Sequence, residues 1–273
     1  MLTASIVTYK VDLDELGRAL EPVTSVAKRV FVVDNAREAR VEDFCSGYAN
    51  VTYIPHDNDG YGAGNNAAIR LAMNMGADYH LVMNSDLVFE ADDLRSMVEY
   101  MDANPDIGLL HPRILGLDGR DQYTARLIPT PFDLIIRRFF PGWIFKGSRR
   151  RYLLQDADHS RIFDVHYVQG SFMLLRVSAL RDAGLFDERF FMYPEDIDLS
   201  RRVAERWRVT YFPHATVTHA HRAASYANLK MLRIHMANMI RYFNKWGWLC
   251  DPARKAANRQ TLRRIADGMG RSR

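Results

Sequence analysis

The run Phe191-Met192-Tyr193-Pro194-Glu195-Asp196-Ile197-Asp198-Leu199-Ser200-Arg201-Arg202 gathers three carboxylates at an expected helix start, with two arginines behind them. Pro194 suits the first helical position, where its missing N–H would be unpaired in any case. Glu195 and Asp196 then fall in the first turn, where exposed N–H groups and the helix dipole favour anions. Asp198 can reach Arg201 and Arg202 at helical spacing, and Ile197, Ala204 and Trp207 share an apolar face. Two carboxylates held ionised and immobile at the edge of a core would serve general-base chemistry. An ordinary acidic helix start is the competing explanation, and this run alone does not choose.

Four other polar runs stand at expected element ends. Asn84-Ser85-Asp86 follows the apolar stretch Tyr79-His80-Leu81-Val82-Met83. A carboxylate there is fixed in direction and suits a hard divalent cation, or simply makes a turn. Asp34-Asn35 ends a second apolar stretch and can accept N–H bonds from a nucleobase or cap the next segment. The Gly-rich turn from His56 to Asn66, with Asn58, Gly64 and Asn65, offers backbone N–H groups to a phosphate or a sugar hydroxyl. It matches neither the Walker A nor the dinucleotide pattern. Thr218-His219-Ala220-His221 brings two imidazoles to one side of an extended chain, as metal or diphosphate ligands or as surface histidines.

The elements that must carry these groups alternate. Strands are expected at 4–8, 29–33, 51–54, 79–83 and 107–110, with helices at 13–20, 62–75 and 92–101 between them. This order implies a mostly parallel, doubly wound α/β sheet with helices on both faces. In such sheets ligands bind beyond the carboxyl ends of the strands, where Thr8-Tyr9, Asp34-Asn35 and Asn84-Ser85-Asp86 lie. Residues 118–164 break the pattern as an Arg- and aromatic-rich insertion. A strand at 167–176, a helix at 178–183, strands at 209–212 and 216–218 and a long helix at 229–246 follow.

Composition bounds the reading. An apolar share of 48% and a charged share of 26% over 273 residues describe a folded, water-compatible chain. No apolar run nears the roughly 20 residues of a membrane span, and the first residues lack signal-peptide features, so a cytoplasmic protein is expected. Cys45 and Cys250 have no metal-type spacing. The net charge of +4 hides a basic cluster, Arg137, Arg138, Lys146, Arg149, Arg150 and Arg151, interleaved with aromatic and aliphatic residues over 134–151. Such a segment fits an anionic membrane surface or ordinary packing with solvated arginines. No nucleic-acid motif accompanies it.

Taken together, these motifs resemble the inverting family-2 glycosyltransferases of the GT-A fold, especially bacterial rhamnosyltransferase-like members. The similarity runs from Ser5 to about Trp246 through Ile6-Val7-Thr8-Tyr9, Val32-Val33-Asp34-Asn35, Asn58 to Asn66, Asn84-Ser85-Asp86 and Arg126-Leu127-Ile128-Pro129. It continues through Gly170 to Arg176, Gly184 to Tyr193, Glu195 to Leu199 and His219. The resemblance implies a GT-A domain over 1–225, with the 118–164 insertion at the acceptor or membrane, and a helical extension over 226–273. Thr8, Tyr9 and Asp34 would hold base and ribose, with Asn58, Gly64, Asn65, Asn84 and Ser85 completing the nucleotide site. Asp86 and His219 would bind Mg²⁺ or Mn²⁺, and His221 is the alternative histidine. Asp196 would be the general base, with Glu195 beside it. Gly170 and Tyr193 would face donor and acceptor. Implied partners are a nucleoside-diphosphate sugar, dTDP-rhamnose or a UDP-sugar, and a glycan or polyprenyl-diphosphate-linked acceptor. Lys10 and Asn84 depart from the commonest family residues. A sugar-nucleotide nucleotidyltransferase would want a glycine-rich loop after the first strand, which Thr8-Tyr9-Lys10-Val11-Asp12 lacks. A non-catalytic sugar-nucleotide or glycan-binding module would not need the full carboxylate set.

Overall fold

The computed structural model describes residues 1–135, 145–220 and 229–270. Arg137, Arg138 and His221, singled out in the sequence, lie outside them. The first half runs β1 (Leu2–Thr8), α1 (Leu13–Thr24), β2 (Arg29–Asp34), α2 (Ala39–Ser46), β3 (Val51–Pro55), α3 (Tyr61–Asn74), β4 (Tyr79–Met83), β5 (Leu87–Phe89), α4 (Ala91–Ala103) and β6 (Ile107–Gly116). The insertion carries β7 (Ala125–Arg126), α5 (Pro131–Leu134), α6 (Lys146–Tyr152) and β8 (Phe163–Val165). Then come β9 (Tyr167–Val168), β10 (Phe172–Arg176), α7 (Val177–Ala183), α8 (Glu195–Val203), β11 (Arg208–His219), α9 (Leu229–Trp246) and α10 (Pro252–Gly270).

Among these residues one nine-stranded sheet has the order β3-β2-β1-β4-β10-β6-β11-β5, with β8 paired to β11. The half formed by β3, β2, β1 and β4 is parallel, as is β6 with β11, whereas β10 is antiparallel to both β4 and β6. Alternation along β1 sends Leu2, Ala4 and Ile6 into a core shared with α1 and α4. α3 lies on the opposite face, close to β1, because small residues line its near side. A Cβ on Gly64 would stand 3.0 Å from both Val7 methyl carbons. α7, α8, α9 and the insertion bury a second core that includes Phe190, Ile197, Tyr211, Tyr242, Phe243 and Ile265.

The differences from the expected elements have local causes. The strand expected at 167–176 is broken at 169–171, where the chain turns against Asp196. The two strands at 209–218 are one, β11, whose register against β6 shifts between Phe212 and Thr216. Pro194 is the cap residue of α8 rather than its first residue, and its carbonyl accepts the Asp198 N–H at 2.9 Å. The preceding Tyr193 has φ +95°, a backbone region that L residues rarely adopt.

Candidate active site

Three strand ends and the start of α8 meet at one edge of the sheet. Phe172 stands opposite Met83, so the residues before β10 run beside those after β4. The Asn84 N–H donates to the Ser171 carbonyl at 3.0 Å. One residue back, the Gly170 N–H donates to Asp196 Oδ2 at 2.9 Å. His219 ends β11 opposite Leu87, and its Nε2 lies 3.3 Å from Asp86 Oδ1. Asp86, His219, Gly170, Glu195 and Asp196 are thereby brought together from four separate parts of the chain.

Both carboxylates at the start of α8 are buried, Glu195 at 4% and Asp196 at 7% exposure. Asp196 Oδ1 accepts the Ile197 N–H at 2.7 Å. Burial lifts the Asp196 pKa from 3.8 to about 7, against the opposing pull of the Gly170 and Ile197 N–H groups and the Arg126 charge. Burial, and then the Asp196 charge, push Glu195 well above the usual carboxylate range. Glu195 Oε2 makes no hydrogen bond among the described residues. The expectation that the helix start keeps both ionised is therefore corrected: loss of water outweighs the N–H groups. A carboxylate that exchanges its proton near neutrality is matched to proton uptake from a hydroxyl.

Asp198 serves the scaffold. Fully buried, it accepts from Arg202 Nε and Trp246 Nε1, each at 2.8 Å, and pairs with Lys245 at 2.6 Å. Arg201 does not join it. It pairs with Asp251 at 2.9 Å, both side chains 3% exposed, and so ties α8 to the start of α10. Gly170 is required by Asp196 itself, since a Cβ there would lie 3.0 Å from the Asp196 Cβ. That demand stands beside the expected close approach to a donor sugar. The Tyr193 ring stacks edge-on against His235, centroids 4.6 Å apart.

The expected nucleotide residues divide. Thr8 and Asp34 end β1 and β2 side by side, with Thr8 Oγ1 3.2 Å from Asp34 Oδ1. Asp34 also accepts the Ala36 and Glu38 N–H groups, at 3.0 and 2.7 Å, and the Tyr53 hydroxyl at 3.3 Å. A carboxylate has about four acceptor directions, and here they are filled. Asp34 thus caps the following turn, the second of the two roles its position allowed. Tyr9 is 56% exposed, with the Lys10 ammonium 5.6 Å above its ring. Asn58 is exposed in the turn before α3, and Asn84 and Ser85 are half-buried.

Gly64 and Asn65 do not reach the site. Gly64 allows α3 to pack on Val7. Asn65 is fully buried, accepting from Ser5 Oγ at 2.6 Å and donating to the Tyr61 carbonyl at 3.0 Å. Their small and amide side chains read as ligand groups in the sequence because helix–sheet packing uses the same residues. The start of α3 faces protein: Gly60 has φ +112°, and a Cβ there would fall 2.3 Å from the Phe191 carbonyl oxygen.

Four contributors carried no assigned role in the sequence. The Tyr61 hydroxyl donates to the Gly170 carbonyl at 3.0 Å, and burial followed by the Glu195 charge drives its pKa up. The Ser171 hydroxyl is buried beside Gly170 with no hydrogen bond among the described residues. Arg126 donates to the Tyr123 carbonyl at 2.7 Å and to Gln169 Oε1 at 3.4 Å, and its charge favours ionised Asp196. Gln122 Oε1 lies 3.3 Å from His219 Nδ1, and its amide nitrogen reaches the His219 carbonyl at 3.5 Å. That orientation of the amide makes Nδ1–H the donor and leaves Nε2 facing Asp86. Tyr61, Arg126 and Ser171 lie inside runs that carry the family resemblance, whereas nothing in the sequence pointed to Gln122.

The profile of glycosyl transferase family 2 matches residues 3–184, about two thirds of the chain. The chain belongs to this family. It is a glycosyltransferase of GT-A architecture, and its relatives include rhamnosyltransferases. It is 28% identical over 225 residues to the rhamnosyltransferase WbbL of Escherichia coli, covering 78% of this chain and 81% of that protein. With the N-acetylglucosaminyl-diphospho-decaprenol L-rhamnosyltransferase of Mycobacterium tuberculosis it shares 30% identity over 192 residues, 65% of this chain and 61% of the relative's length. Two solved structures share the fold. GalNAc-T7 with UDP, GalNAc and Mn²⁺ gives a TM-score of 0.64 at 13% identity, covering 90% of this chain and 48% of that one. The Pyrobaculum calidifontis mannosyltransferase PcManGT with GDP-Man and Mn²⁺ gives 0.57 at 16%, covering 99% and 74%.

In this family-2 transferase, Asp86 and His219, 3.3 Å apart, are a pair that could hold a cation. Among the described residues no cluster of three or more His, Cys, Asp or Glu groups does so. An oxygen and an imidazole ligand fit a divalent ion whose other positions go to substrate phosphates and water. Among the described residues, no helix is long and apolar enough to cross a membrane.

Proposed function

We propose that the chain is a metal-dependent, inverting glycosyltransferase that moves a sugar, rhamnose first among candidates, from a nucleoside diphosphate to a hydroxyl of a glycan or polyprenyl-diphosphate-linked acceptor. The observation that carries this reading is Asp196: buried, held by the Gly170 and Ile197 N–H groups, tuned to about 7, and on the same sheet edge as Asp86. The rhamnosyltransferase names of two relatives support the sugar, and the decaprenol in one name supports the acceptor class. In this reading residues 1–225 are the transferase domain, with the 118–164 insertion at the acceptor or membrane, and 226–273 are a helical extension.

In this reading Thr8 and Tyr9 hold base and ribose, and Asn84 and Ser85 complete the nucleotide site. Mg²⁺ or Mn²⁺ held by Asp86 and His219 would offset the negative charge developing on the leaving diphosphate. Asp196 takes the acceptor hydroxyl proton as that oxygen bonds to the anomeric carbon and the carbon–diphosphate bond breaks. Glu195, kept neutral by burial, adds no second negative charge beside the base. Direct displacement inverts the anomeric centre and forms no sugar–enzyme bond. Binding and hydrolysis of a panel of sugar nucleotides, with Mn²⁺ and with EDTA, test the reading. It expects one preferred donor bound only with the cation. Equal affinity in EDTA would contradict it.

A further inference from the structure

Away from the sheet edge, a cavity of about 570 Å³ opens between the insertion and α10, within the size range of small-molecule sites. Its apolar wall is Leu127, Ile128, Phe132 and Tyr152, closed by Trp248 and Leu249 from the α9–α10 connection. The last two are 38% and 81% exposed. Four cations share the lining: Arg151 of α6, and Arg254, Lys255 and Arg259 of α10. One carboxylate lines it too, Asp133, whose Oδ2 is engaged by the Thr130 N–H and hydroxyl at 2.9 and 2.6 Å.

Arg254 decides the chemistry. It is 4% exposed, and its Nη2 donates to the Trp248 carbonyl at 3.2 Å. Its Nη1 makes no hydrogen bond among the described residues. Asp251 Oδ2 is 4.0 Å away, beyond hydrogen-bond reach, and already holds Arg201 at 2.9 Å. Leaving a guanidinium N–H buried and unsatisfied is costly, and a phosphate oxygen is a partner matched to its planar fork.

We propose that this cavity seats the phosphorylated head of a polyprenyl-type membrane lipid, with Arg254, Lys255 and Arg259 on the phosphates and the first apolar units along Leu127, Phe132 and Trp248. The chain leaves past Leu249 toward the bilayer. The inference deepens the lipid-linked acceptor reading and rests on it. A solvent-facing Trp–Leu rim beside a basic helix is suited to an anionic membrane surface, whereas a soluble phosphate would leave that rim unused. The cavity is also connected to the base. The Leu127 N–H donates to the Tyr152 carbonyl at 3.1 Å, and the adjoining Arg126 acts on Asp196.

The test is calorimetric binding of farnesyl diphosphate, farnesol and inorganic pyrophosphate to the full chain, with and without saturating UDP and Mn²⁺. Farnesyl diphosphate should bind at least tenfold more tightly than either half, and UDP with Mn²⁺ should not displace it. The exposed substitutions Leu249→Asp and Lys255→Glu/Arg259→Glu should each weaken it about tenfold, and neither removes a core side chain. Pyrophosphate binding equally well, displacement by UDP, or full affinity in both variants would overturn the proposal. Intact farnesyl diphosphate binding in a protein that transfers no sugar from any donor would leave the cavity and sink the transferase reading instead.

Discussion

Replacing Asp196 by Asn removes the titrating group and keeps its shape. The folded protein holds Asp196 protonated up to about pH 7, whereas the ordinary value for a free aspartate side chain is 3.8. Between those values the native state binds a proton that the unfolded chain has released, so stability falls as pH rises. The contribution is whole below 3.8 and gone above about 7. About three pH units at 1.36 kcal/mol each give up to roughly 4 kcal/mol of pH-dependent stability from this one group. Asn cannot titrate, so the unfolding free energy of D196N should gain on the wild type by up to that amount between pH 4 and pH 8. Urea unfolding at a series of pH values reads the gap directly. Activity should follow the opposite limb. The ionised fraction of a group at about 7 rises from about a tenth at pH 6 to about nine tenths at pH 8, so wild-type kcat/KM should climb nearly tenfold. D196N should lose about 10²- to 10⁴-fold in kcat, the usual share of a general base, with nucleotide affinity nearly unchanged. A stability gap that ignores pH, together with an activity limb near pH 4, would refute the burial argument.

Three further substitutions separate the parts of the site. Gly170→Ala places a methyl 3.0 Å from the Asp196 Cβ, so kcat should drop at least tenfold while donor KM holds, as read by steady-state kinetics. Asp86→Asn should weaken nucleoside-diphosphate binding at least tenfold in Mn²⁺ and hardly at all in EDTA, measured by titration calorimetry. Asp251→Asn strips the partner from buried Arg201 and should cost about 3–5 kcal/mol in denaturant unfolding.

How far the sequence reached depended on whether the cue was local. Strands β1, β2, β3 and β4 and helix α9 were readable because their apolar periodicity is unbroken, and α9 begins and ends where expected. The short α2 and β5 were not, since eight and three residues hold too little pattern. Asp86, Asp196 and His219 were legible as strand-end and helix-start groups, and the sheet register brings them to one edge. The charge state of Asp196 was not legible, because burial is a sum over contacts from β9, β10 and α8. At Asp34 the sequence offered both a base contact and a cap, and only the fold shows Ala36, Glu38 and Tyr53 converging on it. Gly64 and Asn65 belong to a Gly-rich run that looks ligand-facing until α3, which contains them, is laid on Val7. The Arg201–Asp251 pair spans 50 positions, and no periodicity announces a partner at that distance.

The most direct measurement is the anomeric configuration of the glycosidic bond formed, read from its one-bond C1–H1 NMR coupling. With Asp196 activating the acceptor for a single displacement, the new glycosidic bond should carry the configuration opposite to the donor. Retention of the donor configuration would contradict the role assigned to Asp196.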